Sequence, residues 1–170
     1  ALNNLDSNPD LRVYGWNQAL GPLKDQPLSP AEQRAFQRNV LRSHHAGIGR
    51  YLPEHVARLA LIIRANTLAR GTAGVRPELV HRIIEVVNAG LAPLMPDTGS
   101  MGTGDLQPMA AAGLFLMGDP QAQVLCDGCE RKLAQHVCQQ AGVADTFELE
   151  AGEAIALISG SAVLSAALAE

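Results

Sequence analysis

The chain has 170 residues, of which 47% are apolar, enough to bury a core of its own; intrinsic disorder and collagen-like fibres are excluded. A net charge of −4 gives no basic surface for counterion release, so neither nucleic acid nor an anionic membrane is expected as a partner. With one Trp, two Tyr and three Phe, the core must be aliphatic and alanine-rich, the composition of packed helices.

Residues 1–10 are polar and show no period of 2 or 3.6, so the opening is read as irregular. Leu11-Arg12-Val13-Tyr14 has the makings of a short strand, and residues 15–27 carry Gly, Pro, Asn and Asp enough for a loop. Ser29-Pro30-Ala31-Glu32 predicts the first helix, with a capping serine, a proline at the first helical position and a glutamate set to return the capping hydrogen bond. Ala35, Phe36, Val40 and Leu41 form its apolar face. A second helix starts at Pro53, places Val56, Leu59, Ala60, Ile63 and Thr67 at three-and-four spacing, and stops at Arg70-Gly71. A third runs from Pro77 through Leu79, Val80, Ile83, Ile84 and Val87 to Asn88-Ala89-Gly90, where Asn and Gly tolerate a left-handed helix end.

Residues 91–104 read as a loop rich in Pro and Gly. It leads into a short helix over 107–118, so apolar that it must be buried on most sides. Val124-Leu125-Cys126-Asp127-Gly128-Cys129 looks like a hairpin turning at Asp-Gly, and 131–141 like a polar surface helix closed by Gly142. Residues 153–169 read as a buried, alanine-rich helix weakened at Ser159-Gly160-Ser161. The longest apolar stretches, 108–117 and 161–169, fall well short of the roughly 18 residues of a membrane span. The expectation is a mainly α fold with a small hairpin, residues 1–170 forming a single domain whose helices pack into an oligomer. The apolar 153–169 face needs a cover, from further helices or another chain.

Several constellations invite a chemical reading. Gly99-Ser100-Met101-Gly102-Thr103-Gly104-Asp105 precedes a helix, where backbone N–H groups attract anions. A phosphate loop would need Gly-Lys-Ser/Thr where Gly104-Asp105-Leu106 stands, and a dinucleotide loop a Gly in place of Gln107. The plainer reading is a tight turn with Asp105 as a helix cap. Cys126 and Cys129 have the spacing of zinc ligands, but His136 and Cys138 lie two apart on a predicted helix and point to different sides, so no metal site is expected. An odd total of three cysteines, without a charged-then-apolar leader, fits a reducing, cytoplasmic setting. His44-His45 closes the first helix, where a histidine suits the negative end of the dipole. Tyr14, in a glycine-flanked loop, would by itself be a core or interface tyrosine.

In combination these segments say more. Val13-Tyr14-Gly15-Trp16-Asn17, then Gln37-Arg38-Asn39-Val40-Leu41-Arg42-Ser43-His44-His45-Ala46-Gly47-Ile48-Gly49, then Leu68-Ala69-Arg70-Gly71-Thr72-Ala73-Gly74-Val75-Arg76, then residues 99–108 resemble, in order, the N-terminal part of the histidine and phenylalanine ammonia-lyase family. The likeness continues through Glu153-Ala154-Ile155-Ala156-Leu157-Ile158-Ser159-Gly160. In that family a Gly-Ser-x-Gly-Ala/Thr-Ser-Gly-Asp-Leu-x-Pro motif cyclises to methylidene-imidazolone, an electrophile made from the backbone. Expelling an amine while removing a weakly acidic β-proton demands an electrophile and a base. The resemblance implies that Tyr14 is the catalytic base and His44 a hydrogen-bonding partner in the active site. It implies that Asp105 supports cofactor formation, with the helix from Gln107 directing its dipole at the site.

The chain also departs from the family pattern. Between Gly102 and Asp105 stand only Thr103 and Gly104, the cofactor-forming positions, where the family has three residues; the missing one is the central serine that yields the methylidene carbon. The resemblance therefore implies methylidene-imidazolone if a further, modified residue lies between Thr103 and Gly104, and no cofactor otherwise. Ser159 stands where the family's Leu-Asn-Gly motif has an asparagine in contact with the cofactor, and a shorter hydroxyl reaches only part of that role. Asn17-Gln18-Ala19-Leu20-Gly21 replaces the family's Asn-Thr-Gly-Phe-Gly, and the long C-terminal helices that build the family's tetramer core are not in the sequence. Three functions are expected. The first is a portion or subunit of an ammonia-lyase or aminomutase acting on an amino acid, completed by an additional protein chain or a C-terminal helical part. The second is an enzyme on the same scaffold using Tyr14 and His44 as acid and base without the cofactor, and the third a non-catalytic scaffold or regulatory subunit.

Overall fold

The computed structural model describes residues 8, 10–100, 104–126 and 130–169. Its elements in chain order are α1 (Pro30–His44), β1 (Ile48–Tyr51), α2 (Glu54–Ala69), α3 (Pro77–Asn88), β2 (Pro96–Thr98), α4 (Leu106–Met117), β3 (Gln123–Cys126), β4 (Glu130–Leu133), α5 (Ala134–Gln140), α6 (Glu153–Ile158) and α7 (Ala162–Leu168). The fold is mainly α with small antiparallel strand pairs, as expected.

The core is organised around α4. Every residue from Pro108 to Met117 is buried, so this helix has no polar face and must be wrapped. α1 and α6 pack on it, while α2 packs on α3 and α7. Gly113 brings α1 close, because a Cβ there would lie 2.7 Å from a methyl carbon of Leu41. Leu41, Leu61, Leu79, Ile83, Phe115 and Leu157 are at most 1% exposed. Each such side chain contributes about 1.5–3 kcal/mol by leaving water. α1 begins as its sequence dictates, with the Glu32 carboxylate accepting from the Ser29 N–H at 2.8 Å and from the Ser29 hydroxyl at 2.6 Å.

Several expectations need correction. Leu11 to Tyr14 is not a strand; Asn17 folds the segment on itself by accepting from the Val13 N–H at 2.7 Å and donating to the Leu11 carbonyl at 2.7 Å. The stretch read as a loop over 91–104 contains β2, which pairs antiparallel with β1, Ile48 opposite Thr98 and Tyr51 opposite Pro96. These strands are too short for a period of 2 to show. On α1, Ala35 is exposed and Gln37 is buried in its place. On α2 the buried face holds Ala57, Leu61, Arg64, Ala65 and Leu68 alongside Val56 and Ala60, while Thr67 is exposed. Residues 131–133 belong to β4, whose pairing with β3 holds them extended before α5 starts. The hairpin itself is present; its turn, Asp127-Gly128-Cys129, lies outside the described residues. The weak point in 153–169 is a full break between α6 and α7.

Candidate active site

Tyr14 sits in a loop tied down by local hydrogen bonds and by one close approach. The Gly15 N–H donates to the Gln18 carbonyl at 3.0 Å. Gly15 has φ +74°, and a Cβ there would lie 2.7 Å from Cγ2 of Ile155, so glycine lets the loop lie against α6. The Tyr14 phenol oxygen accepts from the Gly21 N–H at 3.1 Å, which leaves its own O–H available to another acceptor. The side chain is 52% exposed.

His44 ends α1. Its Nδ1 lies 2.8 Å from the Val40 carbonyl oxygen, and because a carbonyl only accepts, Nδ1 is assigned the proton and Nε2 is the accepting nitrogen. Strand β1 follows directly, and its pairing with β2 carries the chain past residues 96–99. A Cβ on Gly99 would lie 3.0 Å from Cα of Gly47, so the histidine segment and the start of the glycine-rich segment approach through bare backbone.

Asp105 holds the position before α4, but its carboxylate does not cap α4. Oδ2 accepts from the Val163 N–H at 2.7 Å and the Leu164 N–H at 3.1 Å, closing the first turn of α7 instead. Its own N–H donates to the Gly160 carbonyl at 2.8 Å. Thr103 lies outside the described residues. Among the described residues, the nearest atoms to a Cβ on Gly104 are at 3.6 Å or more.

The residues present do not fit self-assembly of methylidene-imidazolone. Gly104 has no side chain to dehydrate, and the serine nearest to it in sequence, Ser100, uses its hydroxyl oxygen to accept from the Gln107 N–H at 3.1 Å. Among the described residues no group of three or more His, Cys, Asp or Glu could hold a metal ion. Cys138 is buried, and that burial pushes its thiol pKa up.

A cavity of about 620 Å³ is lined by Tyr14, Leu20, Phe36, His44, Leu106 and Ser159. A second, of about 340 Å³, shares Tyr14, Ile155 and Ser159 with it and adds Arg64 and Trp16. Apolar walls with a few convergent polar groups are what a small-molecule site requires. His45 lines a different cavity with Arg42 and Asp119, so of the two adjacent histidines only His44 faces Tyr14's. α6, which brings Ile155 and Ser159, is anchored by Glu153, 1% exposed, whose carboxylate takes Nη2 and Nε of Arg76 at 2.8 and 3.0 Å. Sequence reasoning missed Arg64, although its spacing of four from both Ala60 and Leu68 puts a charge on the apolar stripe of α2. Burial pulls the Arg64 pKa below the ordinary arginine value, and the charge of Asp105 opposes that pull.

A buried helix that follows a glycine-rich segment, with a loop tyrosine and a helix-end histidine on one cavity, is the helical arrangement that the resemblance implies. The family model for aromatic amino acid lyases matches residues 4–170, and the chain belongs to that family. It is 37% identical over 158 residues to a probable histidine ammonia-lyase of Thermoplasma volcanium, a match covering 92% of this chain and 31% of that protein. Among solved structures it is similar to ergothionase from Treponema denticola, with a TM-score of 0.88 and 27% identity, over 97% of this chain and 32% of that one. Tyrosine aminomutase from Streptomyces globisporus is similar too, with a TM-score of 0.86 and 29% identity, over 97% and 30%. The chain thus spans about a third of the length of these relatives.

Proposed function

We propose that this chain is the N-terminal portion of a carbon–nitrogen lyase or aminomutase that takes an α-amino acid, removes its β-proton and parts the amine from the α-carbon, a reaction that requires a further, modified residue between Thr103 and Gly104 to supply the electrophile. The observation that carries this reading is the convergence of Tyr14, His44 and Ser159, from a loop, the end of α1 and the end of α6, on one cavity. Tyr14 is the base, and a positioned base contributes about 10²–10⁴-fold to such a proton transfer. His44, with Nδ1 committed to Val40, offers Nε2 to the substrate. A C-terminal helical part or an additional protein chain completes the cavity, and an oligomer covers the apolar surface. The 52% exposure of Tyr14 and the 54% and 78% exposure of Leu164 and Leu168 support that. The odd cysteine count supports a cytoplasmic setting.

A second reading is favoured by the missing serine and by Ser159 in place of asparagine. Here the same cavity uses Tyr14 and His44 as acid and base on a proton beside a carbonyl, with no cyclised electrophile. One experiment separates the two. Intact mass and a peptide map across 99–108 are measured on the purified protein, which is then incubated in deuterated water with histidine, phenylalanine or tyrosine while ammonia and deuterium uptake are followed. Excess mass of one serine less two waters, with ammonia released, supports elimination. The mass of the 170 residues, with Tyr14-dependent deuterium uptake and no ammonia, supports the second reading. No turnover of any kind, unchanged in Tyr14→Phe, overturns both and leaves a scaffold.

A further inference from the structure

The break between α6 and α7 is held by two opposite charges that come from elsewhere. The chain leaves helical geometry at Ser159 (φ −83°, ψ 105°), so the last carbonyls of α6 lose the N–H partners that a continuous helix would supply. Arg64, projecting from α2 and only 6% exposed, replaces them: its Nη2 donates to the carbonyl oxygens of both Ala156 and Ser159. On the other side of the break, the first amides of α7 lack helical acceptors, and Asp105 replaces those through Val163 and Leu164. Gly160 lies between, its carbonyl accepting from the Asp105 N–H at 2.8 Å. A Cβ on Gly160 would stand 2.5 Å from Nη1 of Arg64, so the guanidinium seats against bare backbone. Such a cation is expensive to bury, and its Nε has no hydrogen-bond partner among the described residues. Two charge-assisted bonds to carbonyls and the field of Asp105 keep it there.

We propose that Arg64 is a positioning residue of this site. Acting through the break at 159–161, it sets where Ser159 and the Asp105 end of α4 stand relative to Tyr14. What this says of turnover rests on the lyase-type reading above; what it says of the break does not.

The test is amide hydrogen exchange, with steady-state kinetics, on the full protein carrying Arg64→Lys, Ser159→Ala or both. Lysine keeps the charge facing Asp105 but cannot span two carbonyls as a planar guanidinium does. Exchange at Asp105, Val163 and Leu164 should quicken about tenfold, the scale of one weakened charged hydrogen bond, while Leu79 and Ile83 in α3 stay protected as before. Under the lyase-type reading, kcat falls about tenfold at nearly constant KM, and adding Arg64→Lys to Ser159→Ala causes no further fall. Unchanged exchange at the three amides overturns the proposal, as does equal acceleration at Ile83, which would mean general destabilisation. Additive losses of kcat in the double variant overturn the route through Ser159. If the wild-type protein turns over no amino acid, the functional reading fails and the exchange arm still decides whether Arg64 holds the break.

Discussion

The two ends of α4 use charge differently: charged side chains from other segments reach the C-terminal end, whereas beside the N-terminal end Asp105 serves α7 and Arg64 the end of α6. At the C-terminal end Arg82, 3% exposed, donates to the Leu116 carbonyl at 3.2 Å, the Ala144 carbonyl at 2.8 Å and the Glu85 carboxylate at 2.9 Å. Asp119, 4% exposed, takes Arg42 at 2.9 Å and the Gln121 N–H at 3.1 Å. At the N-terminal end polar demand is left unmet: Nε of Arg64 and Oε1 of Gln107 are buried without partners among the described residues. An unmet buried polar group costs about 1–3 kcal/mol. Arg64 lines the smaller cavity with Tyr14 and Ser159, whereas at the satisfied end Asp119 and Arg42 line a separate cavity with His45. Under the proposed reading, the C-terminal end chiefly holds the fold together and the N-terminal end serves the site.

Truncation at the satisfied end should show this most strongly. Arg82→Ala strips two carbonyls of a buried donor and should cost about 1–3 kcal/mol for each in urea unfolding, with kcat of the remaining folded protein unchanged. Tyr14→Phe should do the reverse, lowering turnover about 10²-fold or more while the urea midpoint stays put. If Arg82→Ala removed turnover without loss of stability, the division between the two ends would be wrong.

How far the sequence alone reveals these ends follows from the range of the forces involved. α1 and α3 were legible because their caps are local: Ser29 with Glu32, Pro77 at the first position, Asn88 to Gly90 at the stop. α4 was legible because an all-apolar dozen can only be buried. Tyr14 and His44 stood out only through the ordered likeness of several segments, each being ambiguous by itself. The rest depends on partners far along the chain. Asp105 reads as a cap for its own helix, and nothing local shows that its carboxylate serves α7, 58 residues on. Pairing of β1 with β2 joins segments separated by a pair of helices, and no short-range pattern announces it. The face of α2 was misjudged because Arg64 takes a core position that apolar periodicity assigns to an aliphatic residue.

A glycine at each end sharpens the contrast at smaller scale. Gly118 has φ +70°, and a Cβ there would lie 1.9 Å from the carbonyl oxygen of Asp145, so Gly118→Ala should cost on the order of 1–3 kcal/mol in thermal unfolding. A Cβ on Gly104 would meet nothing closer than 3.6 Å among the described residues, and Gly104→Ala should leave stability within about 0.5 kcal/mol. Equal losses at the two positions would show that the N-terminal end is as tightly built as the other.

The smallest effect is a pH dependence confined to the C-terminal end. Burial by itself would raise the Asp119 pKa, but the Gln121 N–H, the hydrogen bond and charge of Arg42 and the charge of Arg38 outweigh it and hold the carboxyl below 3.8. A carboxyl depressed in the folded state adds stability that is complete above its unfolded pKa and disappears as pH falls through the lower folded value. Asp119→Asn should therefore flatten the acid limb of a plot of urea midpoint against pH, and the gap between wild type and variant should narrow below about pH 4. Arg42→Met removes the nearest cation, lets the carboxyl titrate higher and shortens that limb, whose lower end moves to higher pH. Because Arg42 is 54% exposed on its side chain, solvent screens much of the attraction, and the displacement should shrink further in added salt. A limb that ignores both substitutions would mean that Asp119 closes α4 by geometry alone, as Gly118 does, and that charge contributes nothing to this end.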